Sequence, residues 1–213
     1  MTRRTTRLCL VRHGETAWNA EGRVQGQTDV PLNAVGAAQA DAVGTALAGE
    51  RFSAIYSSDL TRVRQTAQPA AQRLGLPVRL DAALRERHYG MFETCTYAEV
   101  RVRFPEDYAR FRKKELDYDF QGGESLRRFN ERALGCVRAL AERHAGEAIL
   151  VFTHGGVLEM VYRDVHASGL SAPRDFEIPN AALNWVEITA GVWSVRAWAE
   201  RAHLPRALDD LPE

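Results

Sequence analysis

Two arginines, two histidines and one glutamate stand in the sequence at positions where they could together bind a tetrahedral dianion. They are Arg12, His13, Arg62, Glu86 and His154. Guanidinium groups grip phosphoryl oxygens through paired, charge-assisted hydrogen bonds, and an imidazole can act as a nucleophile or a donor. Each residue alone has an ordinary explanation, as a structural hydrogen-bonding histidine or a solvated arginine. Their convergence in the fold is what would indicate a phosphate site.

Six short apolar or β-branched runs predict the strands that must position these residues. They cover 8–13, 54–58, 78–80, 148–154, 183–188 and 193–199. Runs rich in Ala, Leu, Arg and Glu at helical spacing predict helices over 34–48, 59–74, 125–144 and 156–168. Strands that alternate with long helices favour an α/β fold, in which a mostly parallel sheet is covered on both faces.

Most of the candidate residues fall at the carboxyl ends of predicted strands. Arg12 and His13 end the first strand, Glu86 follows the third, and His154 ends the fourth. In open α/β sheets the ligand crevice lies beyond the carboxyl ends of the strands. We therefore expect these side chains to meet in one crevice.

Arg62 is placed by the predicted start of a helix after the second strand. Either Ser58 or Asp59 is a natural N-cap, because a short polar side chain there can accept a hydrogen bond from the first helical turn. Arg62 would then lie in that first turn, close to the same crevice.

The bulk composition excludes several classes of partner. The chain has 213 residues, which suits a single domain over 1–213, and its 28 Lys+Arg balance its 28 Asp+Glu. The protein therefore has no net positive charge that could attract a nucleic acid or an anionic membrane. No apolar run approaches the roughly 20 residues that span a bilayer, and the N-terminal residues do not resemble a secretory signal. We expect a cytoplasmic protein with no nucleic-acid or membrane partner.

The cysteines and the remaining histidines do not predict a metal site. Cys9, Cys95 and Cys136 are widely spaced, odd in number and without a CxxC pair. Free cysteines usually pack as small apolar residues, and we expect that here. The other histidines lack the spacing that gathers metal ligands on one helical face. We expect neither a metal nor a cofactor.

Residues 87–122 differ from the rest of the chain because charged and aromatic side chains crowd them. Breakers at Pro105 and Gly122 predict an insertion that folds over one end of the sheet. Its aromatic residues could line a substrate pocket or pack against each other, and packing is the favoured use for most of them. The polar tail at 205–213 is expected to be mobile.

Six motifs, in this order, give the sequence a specific resemblance. They are LVRHGETAWN, GRVQGQTDVPLN, SSDLTRVRQTA, LRERHYG, GGES and THGG. Together they resemble the histidine phosphatase superfamily, the phosphoglycerate-mutase-like enzymes, over about residues 8–190. The resemblance implies a three-layer α/β/α sandwich with a mostly parallel central sheet and a small insertion over the active site.

The resemblance also implies roles for the candidate residues. His13 would be the nucleophile that becomes phosphorylated, Glu86 the proton donor, and Arg12, Arg62 and His154 the phosphate pocket. Further residues matching the motifs would bind the phosphate or substrate: Asn19, Gln25, Gly26, Tyr89 and Gly155. The arginines and His154 would supply the positive charge, so no magnesium is required.

Two reactions compete for a phosphohistidine in this family, because water takes the phosphoryl group in a phosphatase and a second phosphoglycerate takes it in a mutase. Lys113 and Lys114 resemble the basic pair of the mutase branch, although a solvated helix face is their more ordinary explanation. Tyr97 and Gly156 depart from the mutase pattern, and the GGES motif is more like the phosphatases. The insertion is also short for an enzyme that must exclude water.

The sequence therefore predicts a phosphomonoester hydrolase that acts on a small phosphorylated metabolite, with a bisphosphoglycerate-dependent phosphoglycerate mutase as the alternative. A binding module that has lost catalysis is disfavoured because all five core positions are filled. A homodimer is an expectation at the level of the family only.

Overall fold

The computed structural model describes residues 5–209 as a six-stranded sheet with helices on both faces. The strands are β1 (Thr5–Arg12), β2 (Ala54–Ser57), β3 (Val78–Leu80), β4 (Ala148–Thr153), β5 (Leu183–Thr189) and β6 (Val192–Glu200). Their order is β3-β2-β4-β1-β5-β6. The first four strands in that order pair in parallel, whereas β5 and β6 add an antiparallel edge. The predicted strands and the mostly parallel sheet are confirmed.

Four long helices cover the sheet and three short ones belong to its loops. The helices are α1 (Ala17–Ala20), α2 (Ala34–Leu47), α3 (Thr61–Leu74), α4 (Tyr97–Arg103), α5 (Pro105–Arg112), α6 (Leu126–Arg143) and α7 (Gly155–Val165). The four long helices, α2, α3, α6 and α7, coincide with the predicted ones to within about three residues at each end.

The period-two alternation of β1 divides the interior into two cores. Leu8 and Leu10 point to the face covered by α6 and α7, and Cys9 and Val11 point to the face covered by α2 and α3. All four side chains are fully buried. A strand that is apolar on both faces belongs in the centre of a three-layer sandwich, and the expected α/β/α architecture is confirmed.

The insertion builds a small core of its own from its aromatic residues. Phe92 and Phe120 lie at its centre, with their ring centroids 4.9 Å apart, and Phe111 packs against both. Tyr97 stacks on Phe111 at 6.1 Å. The preference for packing is confirmed for Phe92 and Phe120, whereas Phe111 and Tyr97 also line cavities. Of the three cysteines, Cys9 and Cys95 are buried and Cys136 is half-buried, also as expected.

The helix start after β2 differs from the prediction. Leu60 occupies the N-cap position of α3, and Asp29 accepts hydrogen bonds from the backbone N–H and the hydroxyl of Thr61, both at 2.7 Å. The two predicted caps are engaged elsewhere, because Ser58 contacts His154 and Asp59 pairs with Arg85. Asp29 from a distant loop caps the helix instead.

The segment predicted to be a mobile tail is tied down over its described part. Leu208 O accepts a hydrogen bond from Asn180 N at 2.8 Å, and the Asp209 carboxylate pairs with Arg174 at 2.7 Å. These contacts attach residues 208 and 209 to the loop before β5, and the mobility of the tail stays a prediction. Residues 210–213 lie outside the described residues. Within 5–209, no helix is long and apolar enough to cross a membrane.

The loop after β1 lies directly on the first turn of α2. The Asn33 side chain caps that helix by accepting from Gly36 N at 2.8 Å. A Cβ atom on Gly36 would overlap Glu15 O and lie 2.8 Å from Glu15 N. A Cβ on Gly14 would meet Gly36 O at 2.7 Å. Only paired glycines allow this approach, and it fixes the backbone next to His13.

We expect Gly36→Ala to lower the free energy of unfolding by about 1–3 kcal/mol, because the new methyl group meets backbone that cannot rotate away. Urea unfolding measures the change. Gly135→Ala is the matched control, since Gly135 is also helical and its added Cβ would meet nothing within 4 Å. Equal stability of the two variants would show that the close approach carries no constraint.

Candidate active site

A cavity beyond the carboxyl ends of the parallel strands brings most of the predicted site residues together. Its walls are formed by Arg12, His13, Asn19, Arg23, Val24, Gln25, Gly26, Arg62, Glu86, Tyr89 and Tyr97. Two predicted residues, His154 and Gly155, are not among them. His154 nevertheless lies close to the cavity, with its ring centroid 5.3 Å from that of His13.

His13 is held in one tautomer by its own loop. Its backbone N–H donates to Thr153 O of β4 at 2.9 Å, and its Nδ1 lies 2.8 Å from Gly14 O. A carbonyl oxygen can only accept, so Nδ1 carries the proton. The lone pair of the neutral ring is therefore on Nε2, which is the atom available for attack on phosphorus.

The surroundings of His13 keep the ring neutral. Burial lowers its pKa well below the usual range, and the positive charges of Arg62 and Arg12 lower it further. The effect of the like charges follows from the adjacency of Arg12 in the sequence and of Arg62 in the fold. Burial, which the sequence could not quantify, is the larger cause.

Arg62 is a buried cation that donates hydrogen bonds to main-chain carbonyls. Its Nη1 and Nη2 atoms donate to Thr28 O at 2.9 Å and to Gly26 O at 2.7 Å. Burial lowers its pKa to about 10, so the group stays protonated at neutral pH. Its buried Nε–H has no acceptor among the described residues. A buried donor without an acceptor is costly, and a phosphoryl oxygen would satisfy it.

His154 supports Arg62 and does not add charge. Its Nδ1 accepts from Arg62 Nη2 at 3.3 Å, and its Nε2 lies 2.9 Å from the hydroxyl of Ser58. Burial lowers the pKa of His154 well below the usual range, and Arg62 and His13 add to that effect. The expectation that His154 supplies positive charge is therefore wrong. The arginines carry that charge.

Glu86 has the environment of a proton donor. Its Oε1 accepts from Arg87 N at 2.7 Å and its Oε2 accepts from Gly156 N at 2.9 Å. Burial raises the pKa of this carboxyl, against the lowering effect of those hydrogen bonds and of Arg62. A carboxyl that keeps its proton at higher pH is suited to protonate a leaving oxygen.

Two amide side chains line the cavity with their oxygens already engaged. Asn19 Oδ1 accepts from the backbone N–H of Thr16 at 2.9 Å, and Gln25 Oε1 accepts from the Thr16 hydroxyl at 3.0 Å. Both residues line the cavity, and their contact with a phosphate stays a prediction. Gly155 begins α7 beside His154, but the amide that reaches Glu86 belongs to Gly156.

Glu93 organises the site and was missed by the sequence analysis. Its carboxylate accepts hydrogen bonds from Gln27 N, Tyr89 N and Thr28 N at 3.0–3.1 Å, and from the Thr28 hydroxyl at 2.7 Å. It thereby joins the insertion to the segment whose carbonyls hold Arg62. No local pattern marks Glu93, because Thr28 lies 65 residues away in the chain.

A second cleft shares one lining residue, Tyr89, with the first cavity. It is lined by Arg87, Tyr89, Phe111, Arg112, Lys114, Leu126, Phe129, Gly156, Glu159, Met160 and Leu170. Tyr89 borders both spaces. The Lys114 ammonium donates to Ala172 O at 3.0 Å and lies 3.6 Å from Glu159, whereas Lys113 is exposed. The Lys114 side chain is therefore not on a solvated face. Its ammonium already has two partners within the protein, so it is not available to bind a substrate carboxylate.

Comparison with known proteins identifies the family. The chain belongs to the histidine phosphatase superfamily (branch 1), whose family model matches residues 8–201. It is 38% identical to phosphoglycerate mutase-like protein 4 of Arabidopsis thaliana, over 92% of this chain and 86% of that protein. It is 36% identical to the metal-independent phosphoserine phosphatase of the same plant, over 93% and 83%.

A solved structure agrees with this assignment. Bacillus stearothermophilus YhfR superimposes with a TM-score of 0.87 at 32% identity, covering 93% of this chain and 99% of that one. The sequence-based identification of the superfamily and of its fold is confirmed.

The raised pKa of Glu86 predicts a pH dependence. For alkyl phosphates, whose leaving group needs a proton, kcat/KM should fall as pH rises through that pKa, because the acid is lost. Glu86→Gln should lower kcat/KM for these esters by roughly 10²-fold at acidic pH and remove the alkaline decline. For p-nitrophenyl phosphate, Glu86→Gln should lower kcat/KM much less.

The ionisation of the substrate acts on wild type and variant alike, so the comparison isolates the enzyme group. Glu106→Gln, on the exposed face of α5, is the control and should leave the profile unchanged. An unaltered alkaline limb in Glu86→Gln would assign the proton to another residue.

Proposed function

We propose that this protein is a phosphomonoester hydrolase that forms a phosphohistidine on His13. The observation that carries the proposal is the placement of a buried imidazole and a buried carboxyl in one cavity beside two arginines. The His13 ring presents its lone pair on Nε2, and burial raises the pKa of the Glu86 carboxyl above its ordinary value. Both face a space lined by the cationic Arg12 and Arg62. A nucleophile, an acid and an anion site are the parts that phosphoryl transfer needs.

In the first step, Nε2 of His13 forms a bond to phosphorus as the phosphorus–oxygen bond to the leaving group breaks. The electron pair of that bond goes to the leaving oxygen, which takes the proton of Glu86 and departs as an alcohol. Arg12 and Arg62 stabilise the charge on the remaining phosphoryl oxygens. The hydrogen bond from Nδ1 to Gly14 O keeps the ring aligned as it becomes cationic.

In the second step, the Glu86 carboxylate removes a proton from a water molecule that attacks phosphorus. The phosphorus–nitrogen bond breaks, its electron pair returns to Nε2, and inorganic phosphate is released. Glu86 ends protonated and His13 ends neutral, so the cycle closes without a net change in the enzyme. All of these roles are filled by side chains of this chain. We therefore propose that no metal and no cofactor takes part. The phosphoserine phosphatase relative is named as metal-independent.

The substrate is proposed to be a small phosphorylated metabolite. Its leaving oxygen must lie at Glu86, and the carbon skeleton then enters the second cleft, which begins at Gly156 and Tyr89. One relative is named for action on phosphoserine, an ester of this size. No nucleic-acid or membrane partner is proposed.

Phosphoglycerate mutase activity is the second candidate, because another relative is named phosphoglycerate mutase-like. A mutase must hold a second phosphoglycerate at the phosphorylated histidine. The ammonium of Lys114 is committed to Ala172 O and Glu159. Lys113 is exposed. These contacts favour the hydrolase.

Rapid quenching with a ³²P-labelled ester should trap an acid-labile, base-stable label on His13. His13→Ala should abolish the label with the fold intact, because the neighbouring imidazole, His154, has its Nδ1 bonded to Arg62 and its Nε2 to Ser58. His166→Ala, which changes an exposed histidine, should label as wild type does. A label on Ser58 or on a carboxylate would overturn the mechanism.

With 3-phosphoglycerate and catalytic bisphosphoglycerate, hydrolysis should exceed isomerisation. Water that reaches phosphorylated His13 needs no binding energy to be present, whereas a second phosphoglycerate must be held by contacts. Phosphate release and 2-phosphoglycerate formation are measured in the same sample. Interconversion at a kcat on the order of 10² s⁻¹, with little phosphate released from any ester, would establish the mutase.

A further inference from the structure

The carboxyl group of Glu86 is held between two backbone amides from different elements. Arg87 N donates to Oε1 at 2.7 Å, and Gly156 N, in the first turn of α7, donates to Oε2 at 2.9 Å. Each oxygen therefore has one fixed donor. The direction in which the acid faces the leaving group depends on where these two amides lie.

Gly156 contributes a backbone amide, and its lack of a side chain leaves space for the Glu86 carboxyl. A Cβ atom at this position would overlap Glu86 Oε1 and lie 3.0 Å from Glu86 Cδ. It would also lie 3.1 Å from Cε1 of Phe129. The acid thus occupies the space that any other residue at 156 would fill.

The atoms that an added Cβ would contact decide the effect of a substitution at residue 156. The closest ones belong to the end of a flexible side chain and not to backbone, so the Glu86 carboxyl can move away while the fold persists. Alanine is also a better helix former than glycine. Gly156→Ala should therefore preserve the fold and displace the acid.

We propose that Gly156 is a positioning residue for the proton transfer by Glu86. It places the acid by donating one amide hydrogen bond and by leaving the space that the carboxyl fills. The proposal rests on the proposed function, in which Glu86 protonates the leaving oxygen. It adds that, in this chain, the space left at residue 156 sets where that acid lies.

The leaving group provides the diagnostic measurement. Gly156→Ala should lower kcat/KM for an alkyl phosphate such as β-glycerophosphate by roughly 10²-fold, since misplacing a catalytic group by about 1 Å has that effect. It should lower kcat/KM for p-nitrophenyl phosphate by less than about threefold, because nitrophenolate departs without a proton. A merely structural defect would lower both alike.

Gly135→Ala is the matched control. Gly135 also lies within a helix, α6, and its added Cβ would meet nothing within 4 Å. This variant should keep wild-type activity on both esters. Thermal unfolding of both variants checks the fold, and neither Tm should fall below that of wild type.

A double-mutant cycle with Glu86→Gln tests whether Gly156 acts through the acid. On that background, Gly156→Ala should cost less than about threefold on the alkyl ester, because no proton donor remains to be displaced. Independent effects that multiply, or equal losses on both esters in Gly156→Ala alone, would overturn the proposal. Failure of wild type to hydrolyse any ester or to label His13 would instead refute the proposed function.

Discussion

Two buried guanidinium groups set the conditions for the rest of this site. Arg12 and Arg62 are 2% and 0% exposed, and burying a charge is tolerated only where hydrogen bonds replace the water. Main-chain carbonyls supply them: Ile178 O accepts from Arg12 at 2.7 Å, and two carbonyls of the 26–28 segment accept from Arg62. These carbonyls satisfy guanidinium donors without neutralising their charge, and Arg12 also interacts electrostatically with Asp209. Two guanidinium groups therefore line the cavity, which suits a dianion.

The same burial shifts the pKa values of the acidic and basic groups in opposite directions. It disfavours the charged form of every group, so it lowers the pKa of His13 and His154 and raises that of Glu86. The nearby arginines strengthen the effect on the histidines and weaken it on the glutamate. The result is a neutral nucleophile beside a carboxyl that keeps its proton to higher pH than an ordinary glutamate, which suits the starting state of the proposed mechanism.

Backbone atoms define the site more than side-chain pairs do. The position of the Glu86 carboxyl depends on two amides, that of Arg62 on two carbonyls, and that of the His13 ring on Gly14 O. Glu93 extends this arrangement by binding three further amides across the insertion and the 26–28 segment. Backbone held by a sheet and by helix starts moves little, which suits a reaction that depends on alignment.

The sequence by itself determined the elements and the place of the chemistry, because apolar periodicity and strand ends are local properties. The alternation within β1 and the positions of His13 and Glu86 after their strands could be predicted for that reason. Only the tertiary structure decided that Asp29 caps α3, that Glu93 bridges two segments and that His154 is neutral. Each of these depends on burial or on contacts between residues far apart in the chain, and local patterns do not record such distances.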